Sequence, residues 1–172
     1  MAGMFYNPKL TDEHYRALGR IAVYSSALEF SLKYSIGIIG FGNALIGLSV
    51  FANSNFSKMS DLLRKLADAK LNEEGRKAFL AILDLACQYM GERDINMHRL
   101  WDFDEKTGTI IGRKLKGKPK HGDLYTEVSY DINDIDTFNK LADNITETTE
   151  LLYKFIILHY NEIKKANTET KS

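Results

Sequence analysis

Three residues that can act together on a phosphate group occur within six positions of the sequence: Arg93, Asp94 and His98. If this segment is helical, Asp94 and His98 lie four residues apart on one face, where the carboxylate can accept a hydrogen bond from one imidazole nitrogen. The other nitrogen is then free for proton transfer. Arg93 adds a planar, permanently charged group suited to a pair of phosphate oxygens. The residue types therefore predict chemistry on a phosphate group.

The same spacing has a simpler structural interpretation. Cations are stabilised at the C-terminal end of a helix, so Arg93 and His98 could merely bind the last carbonyls. In addition, five residues of an α-helix advance by ~500°, which points the two side chains about 140° apart. One copy would make a thin active site, whereas two copies facing each other in a symmetric dimer would place two histidines and two arginines in one cleft.

The residues around the motif carry a family resemblance. Glu92, Arg93, His98 and Trp101 resemble the pattern E-R-N-x-x-x-H-G-x-W of a bacterial branch of the HEPN superfamily, which comprises helical-bundle ribonucleases and nucleotide-binding domains. The similarity extends over most of the chain, as a pattern more than as identity.

Two positions depart from the family pattern. Asp94 stands where the usual residue is Asn, a substitution that resembles those of active members. Arg99 stands where the usual residue is Gly, and we expect it either to crowd the site or to add a phosphate contact.

The resemblance implies metal-independent RNA cleavage by a cytoplasmic homodimer without a cofactor. His98 would take the proton of a 2′-hydroxyl or protonate the leaving 5′-oxygen. Arg93 would stabilise charge on the phosphoryl oxygens, and Asp94 would orient His98. Similar proteins are toxins or phage-defence enzymes, often restrained by a partner protein, an antitoxin.

Two other functions remain open. The chain could be a catalytically inactive HEPN-like module that binds nucleotide, RNA or a protein partner, which Arg99 slightly favours. It could also be a helical dimerisation module that uses the apolar residues 36–51 as its surface.

The composition is that of one globular domain covering residues 1–172. Lys plus Arg and Asp plus Glu each number 23, so any RNA contact must rely on a local basic patch. A single cysteine, Cys87, excludes an internal disulfide or a cysteine-based zinc site and suits a reducing cytoplasm. No signal peptide is apparent at the N-terminus. Residues 36–51 are too few to span a membrane.

Apolar periodicity predicts a mainly α fold, an up-and-down four-helix bundle similar to HEPN domains. The expected helices are about 12–39 with Thr11 as N-cap, 56–69, one that opens at Asn72 and delivers the motif, and about 134–165. A short helix is possible between residues 43 and 51, and residues 166–172 are expected to be frayed.

The four glycines Gly37, Gly40, Gly42 and Gly47 invite comparison with a phosphate-binding loop. No Gly-Lys-Ser/Thr follows them, and a helix rather than a strand precedes them. They predict a helix end and a tight helix crossing instead.

A β-hairpin is expected between the third and fourth long helices, at about 107–131. Residues 109–115 and 124–130 are rich in β-branched and aromatic residues. The hairpin is crowded with basic residues that predict either a solvated loop or an arm on the RNA backbone: Arg113, Lys114, Lys116, Lys118 and Lys120.

The remaining candidates support the motif. Glu29 lies beside the apolar stripe of the first helix and needs a partner, either Arg93 or water. Asn96 is an extra hydrogen-bond donor near Arg93 or a structural residue. Trp101 is expected to plug the core where the helix ends. His159 has no evident acidic partner.

Overall fold

The chain is mainly helical. A computed structural model describes residues 10–98, 100–104, 106–107, 109–115, 125–131 and 135–169. The helices are α1 (Asp12–Ile36), α2 (Ala44–Val50), α3 (Phe56–Lys70), α4 (Glu73–Met97) and α5 (Ile135–Glu169), with a π-helical segment (Gly37–Phe41) continuing α1. Three strands lie between α4 and α5: β1 (Leu100–Asp104), β2 (Thr109–Leu115) and β3 (Tyr125–Asp131).

Polar side chains fix the starts of the helices. Thr11 accepts a hydrogen bond from the backbone N–H of His14, and the His14 ring accepts one from the backbone N–H of Thr11. The predicted N-cap at Thr11 is confirmed. The next three helices begin after Asn43, Asn55 and Asn72, whose side chains each accept a backbone N–H. Loss of such a cap costs ~1 kcal/mol.

Helices α1 and α5 run in the same direction. Near the start of α1, Arg20 donates a 2.8 Å hydrogen bond to Asn139, and further along, the rings of Tyr34 and Tyr153 meet edge to face at 5.8 Å. Helix α4 runs the opposite way, so the helix that carries the motif is antiparallel to both.

The first two long helices, α1 and α3, are also parallel, because α2 reverses the chain between them. A side chain at Gly47 would meet the carbonyl of Lys33 and the backbone of Gly37, so α2 packs directly against α1. Helix α3 then runs alongside α1, with Leu66 beside Gly40. The prediction that four long helices alternate in direction is wrong for this pair.

The glycines have the structural roles that the sequence predicted. A Cβ atom at Gly47 would collide with the Lys33 carbonyl oxygen, so only glycine fits this crossing. Gly42 has φ +69° and ends the π-helical segment.

Helix α5 is longer than predicted, because Asn167 is part of the core. Its side chain is 9% exposed and donates to the carbonyls of Ile38 and Ile39 in the π-helical segment, at 3.3 and 3.2 Å. The frayed tail predicted for residues 166–172 is therefore wrong up to Glu169. Residues 170–172 lie outside the described part.

The core lies between the long helices. Its fully buried side chains include Ile21, Leu28, Leu32, Phe79, Leu83, Ile145 and Leu152. Truncating a residue such as Phe79 to alanine would cost about 3–5 kcal/mol. In the described ranges no helix combines the length and the apolarity that a membrane crossing requires.

The strands form an antiparallel sheet in the order β1-β2-β3. β2 and β3 pair from Thr109 opposite Asp131 to Leu115 opposite Tyr125. The sequence analysis predicted two strands here and did not predict β1. The alternation of Trp101 and Phe103 with Asp102 and Asp104 is nevertheless typical of a strand. The predicted loop at residues 116–124 lies outside the described residues.

Candidate functional site

The three motif residues converge where α4 ends. Arg93 Nη1 donates a 2.8 Å hydrogen bond to Asp94 Oδ1 and lies 3.5 Å from His98 Nε2. The helix geometry predicted that the side chains of Arg93 and His98 point about 140° apart, but their terminal atoms meet. Helix α4 ends at Met97, and His98 follows it with φ −105° and ψ 20°, outside helical geometry. The long arginine side chain spans the remaining distance.

Asp94 binds the arginine, not the histidine. Its Oδ1 atom lies 3.9 Å from His98 Nε2, which is too long for a hydrogen bond. An imidazole with its proton on Nδ1 presents the Nε2 lone pair to Arg93. The expectation that Asp94 orients His98 directly is therefore wrong. Asp94 instead binds Arg93, and Arg93 lies next to His98.

The three side chains differ in their access to solvent. The side chains of His98 and Asp94 are 65% and 60% exposed, whereas that of Arg93 is 24% exposed. The Nε atom of Arg93 is buried and has no hydrogen-bond partner among the described residues. A buried donor without a partner is costly, but this atom is closed to solvent, so an incoming acceptor would have to bind the outer guanidinium nitrogens.

These residues border a groove of about 590 Å³ between α1, the start of α3 and the end of α4. Its other lining residues are Glu29, Asn55, Phe56, Ser57, Ser60, Cys87, Met90 and Gly91. Binding sites for small molecules typically measure roughly 300–1,000 Å³. The groove is therefore large enough for a nucleotide unit.

The walls of the groove carry opposite charges. The N-terminal end of α3, capped by Asn55, contributes partial positive charge, and Arg93 contributes a full one. Glu29 lines the groove as well. Within the described structure, however, Glu29 makes no hydrogen bond or ion pair with Arg93, whose Nη1 is turned to Asp94. Of the two expectations for Glu29, the pair with Arg93 is therefore wrong, and the half-buried Glu29 side chain lines the groove.

A second arginine near the groove is already bound. Arg64 donates to Asp84 at 2.6 Å and lies 3.8 Å from the sulfur of Cys87. The hydrogen bond to Asp84 raises the pKa of Arg64 above its ordinary value. Because its charge is paired with Asp84, we assign Arg64 a structural role beside the groove and not a role in ligand binding.

Asn96 is structural and does not line the groove. It is 7% exposed, its side chain donates to the carbonyl of Glu92 at 2.9 Å, and its own carbonyl accepts the Trp101 indole N–H at 3.0 Å. Trp101 is 6% exposed and meets the Phe138 ring at 5.6 Å. The predicted core plug at Trp101 is confirmed, and the alternative donor role of Asn96 near Arg93 is wrong.

Sequence reasoning missed the wall formed by α3. Asn55, Phe56 and Ser57 have the appearance of an ordinary helix start, an Asn cap followed by the first turn. Only the chain reversal at α2 brings this turn beside the end of α4, and nothing local in the sequence signals that proximity.

The other predicted contacts stay predictions. The structure does not describe Arg99, Lys116, Lys118 or Lys120, nor the side chains of Arg113 and Lys114 in β2.

Over the ranges that the structure covers, no three or more histidine, cysteine, aspartate or glutamate side chains are grouped so as to hold a metal ion. Comparisons with protein-family models, with curated proteins and with solved structures find no match.

Proposed function

We propose that this protein is a metal-independent endoribonuclease of the toxin or phage-defence type, cytoplasmic and active as a homodimer. One observation carries the proposal: the guanidinium of Arg93 lies 3.5 Å from an exposed imidazole nitrogen of His98 at the mouth of a groove of nucleotide size. An acid–base group and a phosphate-binding cation are thus within reach of one phosphodiester.

The reaction needs an imidazole in each protonation state. Neutral His98 takes the proton of the 2′-hydroxyl, and the 2′-oxygen attacks phosphorus to form a 2′,3′-cyclic phosphate. The bond from phosphorus to the 5′-oxygen breaks, and this oxygen takes a proton from a second, protonated imidazole. One side chain cannot be neutral and protonated at once, so the second is His98 of the partner subunit.

Arg93 stabilises the negative charge that grows on the phosphoryl oxygens. Its Nη1 donates to Asp94, and the Arg93 side chain is only 24% exposed. A phosphate oxygen would engage the remaining donors while Asp94 keeps the side chain in place. Loss of one such electrostatic contact typically costs ~10²–10³ in rate.

The decisive experiment combines variants with altered substrates. His98→Ala and Arg93→Ala should each lower RNA cleavage by about 10²-fold or more, while circular dichroism shows an intact helical fold. An oligonucleotide with a 2′-deoxy sugar at the scissile position should resist wild type, and cleavage should persist in EDTA. Equal cleavage of the 2′-deoxy substrate, or activity only with added divalent metal, would refute the mechanism.

A second function has one observation in its favour. The 2.8 Å ion pair of Arg93 with Asp94 partly neutralises the cation that the reaction needs. This favours an inactive HEPN-like module that binds nucleotide, RNA or a protein partner such as an antitoxin. RNA binding by wild type without any cleavage would select this alternative.

A further inference from the structure

Glu29 is a half-buried carboxylate that lines the groove beside Arg93 and His98. Among the residues that the structure describes, it forms neither a hydrogen bond nor an ion pair. A carboxylate that is partly withdrawn from water and has no partner is costly. Stability therefore does not explain why this position is occupied by glutamate.

Cations that could pair with Glu29 bind other partners. Lys33 lies one turn further along α1, at the spacing and in the order that favour a Glu–Lys pair. Its ammonium nevertheless donates to the Ala52 carbonyl at 2.8 Å. Arg93 and Arg64 are each paired with an aspartate. The carboxylate of Glu29 is therefore left as an acceptor for a ligand in the groove.

The negative charge of Glu29 restricts which part of an RNA can lie beside it. A strand with a phosphate at Arg93 is a polyanion, and like charges brought together weaken binding. Glu29 must then face a neutral group that donates hydrogen bonds. The 2′-hydroxyl is one such group, but in the proposed reaction its proton goes to His98. The bases supply the remaining donors.

The four bases differ in the donors that they offer to a carboxylate. Guanine presents two adjacent ones, the N1–H and an N–H of its 2-amino group. The two oxygens of a carboxylate can accept both at once, as they accept the parallel N–H groups of an arginine. Adenine and cytosine offer one amino group and uracil a single N–H, so none of them can form this pair of bonds.

Two further residues of the groove suit a base. The Oδ1 atom of Asn55 accepts the backbone N–H of Lys58 at 2.9 Å, so its amide N–H groups are the atoms left for a ligand. They can donate to O6 of guanine, which is an acceptor. Phe56 also lines the groove, and aromatic rings stack on unpaired bases.

We propose that the groove binds a guanine base, with the Glu29 carboxylate accepting its N1–H and 2-amino N–H. The inference rests on the proposed function for its ligand, RNA, and adds the base that the site selects. Glu29 touches no reacting atom in this arrangement. It determines specificity, whereas Arg93 and His98 act on the phosphodiester.

Binding of short oligouridines to the His98→Ala variant tests the selected base without cleavage. Each strand carries one guanine, inosine, adenine or cytosine nucleotide at the same position, and fluorescence anisotropy gives the Kd. The guanine strand should bind about 10- to 100-fold more tightly than the adenine and cytosine strands. The inosine strand, which lacks only the 2-amino group, should fall between them. Equal affinity for all four strands would overturn the proposal.

Glu29→Gln, made in the same background, keeps the size of the side chain but turns one acceptor into a donor. The preference for guanine should fall below about threefold. Affinity for plain oligouridine should stay the same or rise, because a negative charge beside the phosphates is removed. A guanine preference that survives Glu29→Gln would show that Glu29 does not recognise the base.

A matched control lies on the same helix. Glu13 is exposed in the first turn of α1, about 24 Å from Glu29 along the helix axis. Glu13→Gln removes an equal charge and should keep the full preference for guanine. If both variants lose it to the same extent, the effect is one of total charge and the proposal is wrong.

The cleavage assay separates this inference from the proposed function. If wild type cuts RNA at every base alike, the nuclease proposal stands and the guanine inference fails. If the protein selects guanine strands but wild type cuts none of them, the inference stands and the nuclease proposal fails. Absence of any RNA binding refutes both. Equal loss of cleavage on all substrates in Glu29→Gln would place Glu29 in the reaction and overturn its role in specificity.

Discussion

Two histidines near opposite ends of α4 lie close to a carboxylate, and they are held very differently. His159 stacks on Phe155 with ring centroids 4.3 Å apart, and its Nδ1 lies 3.2 Å from Glu162. Asn72, the N-cap of α4, donates to the same Glu162 carboxylate at 3.3 Å. His98 has no such packing: it is 65% exposed, beside Arg93 and Asp94.

The difference shows that a histidine–carboxylate spacing does not by itself indicate catalysis. At His159 the carboxylate also binds the cap of α4, so the pair joins two helices and serves stability. Near His98, the Asp94 carboxylate binds Arg93 instead of the imidazole, and the imidazole lines the groove. Burial and the other partners of the carboxylate separate a structural histidine from a candidate catalytic one.

The largest expected effect is on cleavage. His98→Ala should lower the rate of RNA cleavage by about 10²–10⁴, the usual contribution of a general acid or base. His159→Ala should retain the activity of wild type when both are assayed well below their unfolding temperatures. Equal losses in the two variants would mean that the comparison fails.

The opposite pattern is expected for stability. His159→Ala should lower the free energy of unfolding by about 1–3 kcal/mol, because stacking on Phe155 and the contact with Glu162 are lost. His98→Ala should change it by no more than about 0.5 kcal/mol, as surface substitutions do. Urea titration monitored by circular dichroism measures both.

A smaller effect is expected at Asp94. Asp94→Ala should lower cleavage about tenfold, since Asp94 would act by holding Arg93 and not by touching the substrate. We expect the loss mainly in kcat, because a displaced Arg93 stabilises less of the charge that grows in the transition state. A loss as large as that of His98→Ala would instead make Asp94 a direct participant.

The smallest effect is expected at Glu162. Glu162→Gln keeps the size and one acceptor oxygen, so the free energy of unfolding should fall by about 0.5–1 kcal/mol at most. The difference from wild type should shrink in high salt if it is electrostatic. A salt-independent loss would show that hydrogen bonding to Asn72 dominates.

Local features were predictable from the sequence because their causes are local. The cap at Thr11, the need for glycine at Gly47 and the plug at Trp101 follow from residue types and their near neighbours. The expectation that His159 has no acidic partner is wrong, because Glu162 lies 3.2 Å away. Residues three apart on a helix are neighbours, so the sequence itself indicates this pair.

Features that depend on chain direction could not be predicted in this way. The parallel course of α1 and α3 follows from a short helix between them, not from any periodicity. The convergence of Arg93 with His98 depends on α4 ending at Met97, and a helix end is uncertain by a residue or two in any sequence pattern. The sequence predicts that the polar Asn167 lies in a frayed tail. It is buried instead, because it binds the carbonyls of Ile38 and Ile39, which are far away in the chain.

Helix α2, only seven residues long, acts as a spacer. Each residue inserted into it would rotate whatever follows by ~100° and shift it by ~1.5 Å. Such an insertion would swing the first turn of α3, with Phe56 and Ser57, out of line with Arg93 while every helix could still form. The length of this connector therefore determines where the first turn of α3 lies relative to Arg93.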